Sequence, residues 1–204
     1  MNLERLKLAE AQFLQQYPGG FSNPEMVNVG KKHRVDKMSE FTREVLAKPR
    51  FKNQHTLIEN LIKIVSRSSM VSMFEKPRFR DFVNSLSRDD RAALLNGYKK
   101  LLHGKQAAGF DEIRDILADG KIAKWSLMTI CPLYFDSQHE VFVKPTTAKG
   151  IIQHLELDQL VYKPRPTWEF YECFRSTINE MKSRVDPLLS PNNAAFTGFL
   201  MMSF

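Results

Sequence analysis

The chain has 204 residues, 43% of them hydrophobic and 26% charged, a balance that fits one large globular domain or a close pair of subdomains. Its net charge of +7 and pI near 9.4 favour acidic partners such as nucleic acid without requiring one. No apolar run approaches the ~20 residues that span a bilayer, and the charged start MNLERLKLAEAQF lacks the apolar stretch of a secretory signal, so a cytoplasmic protein without membrane contact is expected.

Helical periodicity dominates the chain. Leu3, Leu6, Ala9, Phe13 and Tyr17 stripe a first helix, which YPGG at 17–20 ends. Ser22-Asn23-Pro24 marks a second start, with Pro24 suited to a first turn. Phe41, Val45 and Leu46 lie on a basic helix that stops before Pro49. From Asn53, the residues Leu57, Ile58, Leu61, Ile62, Ile64 and Val65 cover much of a helix surface, which predicts a buried central element. Ser87 to Asp90 resembles a capping box, and Gly104 closes the helix that follows. Phe110 to Leu117 forms another helix, ended at Asp119-Gly120, and Thr167 caps a late one that runs on towards Asp186-Pro187.

Residues 125–143 admit two readings. WSLMTICPLYF is either a buried helix broken at Pro132 or a strand pairing with EVFVK; the helix, followed by a short extended EVFVK, is preferred. The expected fold is therefore mainly α. It is a single domain of eight to ten helices over 1–204, and a division into subdomains would fall between 1–68 and 69–204.

Motifs for catalysis are missing. The five histidines show no HxxxH or HExxH spacing, which argues against a metal site, and no phosphate-binding glycine loop or GxSxG elbow occurs. Cys131 and Cys173 have no CxxC partner and read as reduced, buried thiols of an intracellular protein. No cofactor is indicated, and no enzyme class emerges.

Three stretches could bind. Between Lys31 and Lys52 stand eight Lys/Arg against Asp36, Glu40 and Glu44, which supplies +5 of the +7. Lys31, Lys32, Arg34, Lys37 and Arg43 could track a nucleic-acid backbone. Equally, the run could be a solvated helix face whose acids pair internally at i, i+4 spacing. In HEVFVKPTTAKG, Pro145 forces Lys144 into extended backbone. A helix start at Thr146 or Thr147, with Lys144 and Lys149 beside it, could hold an anion. A plain threonine-capped start is the stronger reading of the two. In FEKPRFRDF (74–82), Phe79 and Phe82 read as core anchors with Arg78 and Arg80 outside.

MFEKPRFRDF (73–82), LLHG (101–104), KWSLMT (124–129), HEVFVKPTTAK (139–149) and YKPRPTWEFYECF (162–174) together resemble a family of uncharacterised bacterial proteins, over roughly 69–203. Members are expected to carry Pro at the place of Ser137 and an acidic residue near Asn193. The resemblance brings no established activity and transfers no catalytic residue. A fainter architectural likeness is to the helix-hairpin-helix DNA glycosylase scaffold, whose hairpin motif is missing here.

The reading that follows is a non-catalytic module that binds an anion or a nucleic-acid backbone. The rival is a protein-interaction or regulatory subunit, working through Met70, Met73 or self-association of the apolar tail Phe196–Phe204. An enzyme with a site scattered in sequence is the weaker third.

Overall fold

In the computed structural model, which describes residues 1–204, eleven α-helices and three 3-10 turns follow one another without a strand. The fold is mainly α, as the periodicity implies. One cluster of 46 buried apolar residues runs from Leu6 to Leu200, so both halves of the chain share a single core.

The helix starts are set by side-chain caps. Asn2 caps α1 (Leu3–Gln16), Asn23 caps α2 (Pro24–His33) with Pro24 in its first turn, and Asn53 caps α4 (Gln54–Arg67). Ser87 caps α6 (Arg88–His103), Thr167 caps α10 (Trp168–Lys182), and Asn192 caps α11 (Asn193–Ser203). Between α2 and α3 (Val35–Val45) the helix is broken by Arg34, which stands in the left-handed region at φ 50° and serves both helices as their cap. For a residue with a Cβ this conformation costs about 1–2 kcal/mol, so packing on both sides must hold it.

In the middle of the chain, α5 (Glu75–Ser85) buries Phe79 and half-buries Phe82. The segment from Trp125 is a helix, α8 (Trp125–Phe135), and every residue from Trp125 to Tyr134 is buried. It continues through Pro132 rather than breaking there. Burial all round the helix outweighs the one backbone hydrogen bond that proline removes. EVFVK is extended, as expected, and pairs with no strand.

α6 and α7 (Gln106–Asp119) make the closest helix contact. Gly97 and Gly109 face each other across it, and a Cβ on Gly109 would lie 2.6 Å from the Gly97 carbonyl oxygen and against the Leu101 backbone. Backbone cannot retreat as a side chain can. Gly109→Ala should therefore lower stability by about 1–3 kcal/mol, read as a reduced urea midpoint. Gly150→Ala, where a Cβ meets nothing within 4 Å, should leave the midpoint unchanged or raise it.

Candidate functional site

The site begins with the extended segment 139–143, whose backbone groups find side chains instead of a partner strand. Glu140 is 8% exposed. Its carboxylate accepts from the Tyr171 hydroxyl at 2.6 Å, from Arg175 Nη1 at 2.6 Å and from Gln106 Nε2 at 3.0 Å. Arg175 in turn lies over the rings of Trp168 and Tyr171, at 5.3 and 5.5 Å. Asn193 Nδ2 donates to the Glu140 carbonyl, Asn179 Nδ2 to the His139 carbonyl, and Val143 N–H to Thr129 Oγ1. Asn193 N–H also reaches the Ser137 carbonyl, at 2.8 Å. Sequence reasoning missed this network, because Glu140 reads as an exposed acid.

The anchored segment delivers Lys144 to the start of α9 (Pro145–His154). Lys144 itself is the cap residue, with Pro145 in the first turn. Neither Thr146 nor Thr147 caps the helix, contrary to expectation: proline's need for a fixed φ at the first helical position moves the start forward by a residue or two. Lys149 also leaves the expected corner. Its ammonium lies 5.1 Å over the Tyr162 ring.

Lys144 and Thr147 instead line a cleft of about 890 Å³ together with Lys31, His33, Arg34 and Lys37. The cleft lies between the α2–α3 corner and the α9–α11 pair, so it joins two stretches more than a hundred residues apart in sequence. Lys32 and Arg43 do not line it; Arg43 Nε donates to the Ser39 carbonyl. Asp36 is the one carboxylate on the rim. No cation of 31–52, nor Lys144, has a carboxylate within salt-bridge distance. The expected internal pairing of Asp36, Glu40 and Glu44 does not form.

The rest of the lining is largely apolar and rich in methionine: Met26, Met70, Phe142, Met201 and Met202. A smaller, open pocket of about 190 Å³ adjoins it, sharing Thr147 and Met201 and bordered by Ile151, Leu200 and Phe204. The apolar tail is divided between core and surface, with Met201 51% and Met202 43% exposed. Phe196, Phe199 and Leu200 are fully buried in the core, and of the tail's side chains Met201 and Met202 open into the cleft. Met73 and Phe74 form a separate exposed tip, at 75% and 77%.

Elsewhere the reactive groups are held neutral. Burial pushes the Cys131 thiol from its ordinary 9.0 up to about 12 and the Tyr134 hydroxyl up to about 12, against an opposing hydrogen bond with Ser68. Tyr98 and Tyr171 are also raised, chiefly by burial and then by Cys131 and Glu140 respectively. Cys173 is only half-buried. The Cys131 thiol, held so far from ionising, is no nucleophile. No group of three or more His, Cys, Asp or Glu side chains is placed to hold a metal ion, and no helix is long and apolar enough to cross a membrane.

Compared with known proteins, the chain matches no family model, no curated protein and no solved structure. The cleft is therefore read from its own geometry.

The raised values carry a pH signature. Each of these groups has its folded value above its unfolded one, so its stabilising contribution is whole below the unfolded value and is lost as pH rises through the folded value. Stability should hold to near pH 9, where unfolded Cys131 begins to ionise, and fall towards pH 12. In Cys131→Ala the fall should begin nearer 10, the ordinary tyrosine value. Urea midpoints across this range test it; a start that does not move in the variant contradicts it.

Proposed function

We propose that the protein is a non-catalytic anion-binding module and that the cleft is its site. One observation carries this reading: Lys31, Arg34, Lys37 and Lys144 converge on one cleft with a single carboxylate, Asp36, among them. Like charges beside an apolar wall repel one another and raise the local potential, and a bound anion relieves both effects. One imidazole and one hydroxyl pair in the cleft, His33 Nδ1 with Ser69 Oγ at 3.0 Å, but both residues are exposed and no carboxylate lies within salt-bridge distance of the ring to complete a catalytic relay.

A nucleic-acid backbone is the polyanionic version of the same reading. It needs cations in a row along an open surface, and Lys32 and Arg43, which would lengthen such a row, lie outside the cleft. The small-anion version is therefore favoured, with nucleic acid as the more general probe of charge.

The test is fluorescence anisotropy with a labelled single-stranded oligonucleotide across a range of salt. Three or four phosphate contacts should make log K fall against log salt with a slope of about −2 to −3. Arg34→Gly removes a cation at a position whose left-handed backbone glycine adopts freely, so it should weaken binding about tenfold while stability is kept or raised. Lys144→Gln should do the same to binding. Lys32→Gln and Arg43→Gln should stay within about twofold, allowing for loss of one remote, screened charge. No binding at low salt would sink the polyanionic version, and equal losses in all four variants would sink the cleft as the anion site.

A further inference from the structure

Three helical glycines lie where no backbone requirement places them. Gly30 in α2, Gly150 in α9 and Gly198 in α11 all lack a positive φ, and a Cβ built on any of them meets nothing within 4 Å. They differ from Gly97 and Gly109, which the α6–α7 contact demands. A glycine inside a helix costs roughly 0.5–1 kcal/mol relative to alanine. Gly30 and Gly198 line opposite walls of the cleft, and Gly150 lines the adjoining small cavity. At each of the three an added Cβ would enter open space.

The volume is also two-faced. Cations stand on the side of the α2–α3 corner and at Lys144, whereas Met201 and Met202 lead from the cleft to the small cavity under Ile151 and Phe204. Unbranched, polarizable methionines mould to a flexible hydrocarbon and pack closely along it. At about 890 Å³ the cleft falls in the range of sites for small molecules, about 300–1,000 Å³; a docked amphipathic helix, ~10 Å across with its side chains, needs a longer trough. Inorganic phosphate alone would leave the apolar walls in water.

We infer that the cleft holds a single-chain amphipathic anion, its phosphate or carboxylate head among Arg34, Lys37 and Lys144 and its alkyl chain along Met201 and Met202 towards the small cavity. This rests on the reading of the cleft as an anion site. It adds the ligand's chemical class and the direction in which it lies. The occupant is a dispersed molecule rather than a lipid in a bilayer; Phe204, stacked on His154 at 5.0 Å, borders the tail end of its path without closing it.

Isothermal titration calorimetry of the full chain tests it with four probes: dodecyl phosphate below its aggregation concentration, inorganic phosphate, dodecyl maltoside, and phosphatidylglycerol vesicles. Each buried methylene contributes about a factor of four in affinity, so burial of about three or four of its carbons should make dodecyl phosphate bind on the order of a hundredfold more tightly than phosphate, and more tightly than dodecyl maltoside. Gly198→Leu puts a side chain into the open wall and a better helix former into α11. It should fold with undiminished stability and bring dodecyl phosphate down to the affinity of phosphate. If dodecyl phosphate binds no better than phosphate while both depend on Arg34 and Lys144, the amphipathic ligand is overturned and the anion site stands. Equal binding of dodecyl phosphate and dodecyl maltoside, indifferent to Arg34→Gly and Lys144→Gln, overturns the anion site as well. Binding to vesicles without binding of the dispersed probe also overturns the inference.

Discussion

Burial of one carboxylate decides where the cleft's most distant cation stands. Glu140, the one charged residue among the buried ones, loses its hydration, a cost of several kcal/mol for an ion alone. It is offset only because Arg175, Tyr171 and Gln106 all reach it. Those partners come from α10 and α7, so the ion pair ties two helices to the extended segment. The next residues follow from that tie. Val143 is fixed by Thr129 of α8, and Lys144 must then emerge at the start of α9, facing Lys31, Arg34 and Lys37 across the cleft. A segment held by a strand partner would have a neighbour along one whole edge. Held by side chains, it leaves that edge free to border a cavity.

The other wall depends on a strained residue. With Arg34 in the left-handed region, α2 ends and α3 begins in a new direction, and Lys31, Arg34 and Lys37 all reach the cleft. Strain of this kind persists where surrounding structure fixes it, and it concentrates at places that bind. Here it coincides with unpaired charge, open helical glycines and a methionine-lined wall, four features that independently centre on one volume.

Much of the fold was legible because it obeys local rules. Ser87 and Thr167 sit where caps are expected and do cap; Leu57 to Val65 cover a helix that is indeed central; Asp119-Gly120 ends α7. The cleft was legible only in halves. Lys31–Lys37 and Lys144–Thr147 each look ambiguous alone, and nothing in one dimension says that they meet. Arginine is not a residue type that signals left-handed backbone, so the turn at Arg34 leaves no trace in the sequence. Glu140 misleads in the opposite way, since a lone acid in a polar stretch suggests solvent. The apolar tail was ambiguous between core and surface, and the structure divides it: its phenylalanines go to the core, its last two methionines to the cleft.

The nine methionines make the cleft directly observable. Methyl NMR spectra of methionine-labelled protein, recorded while dodecyl phosphate is added below its aggregation concentration, report each side chain separately. If the cleft is the site, Met70, Met201 and Met202 shift together and saturate at one affinity, while Met73 on its exposed tip and Met128 and Met181 in the core stay in place. Shifts centred on Met73, or none at the three cleft methionines, would contradict the cleft as the binding site.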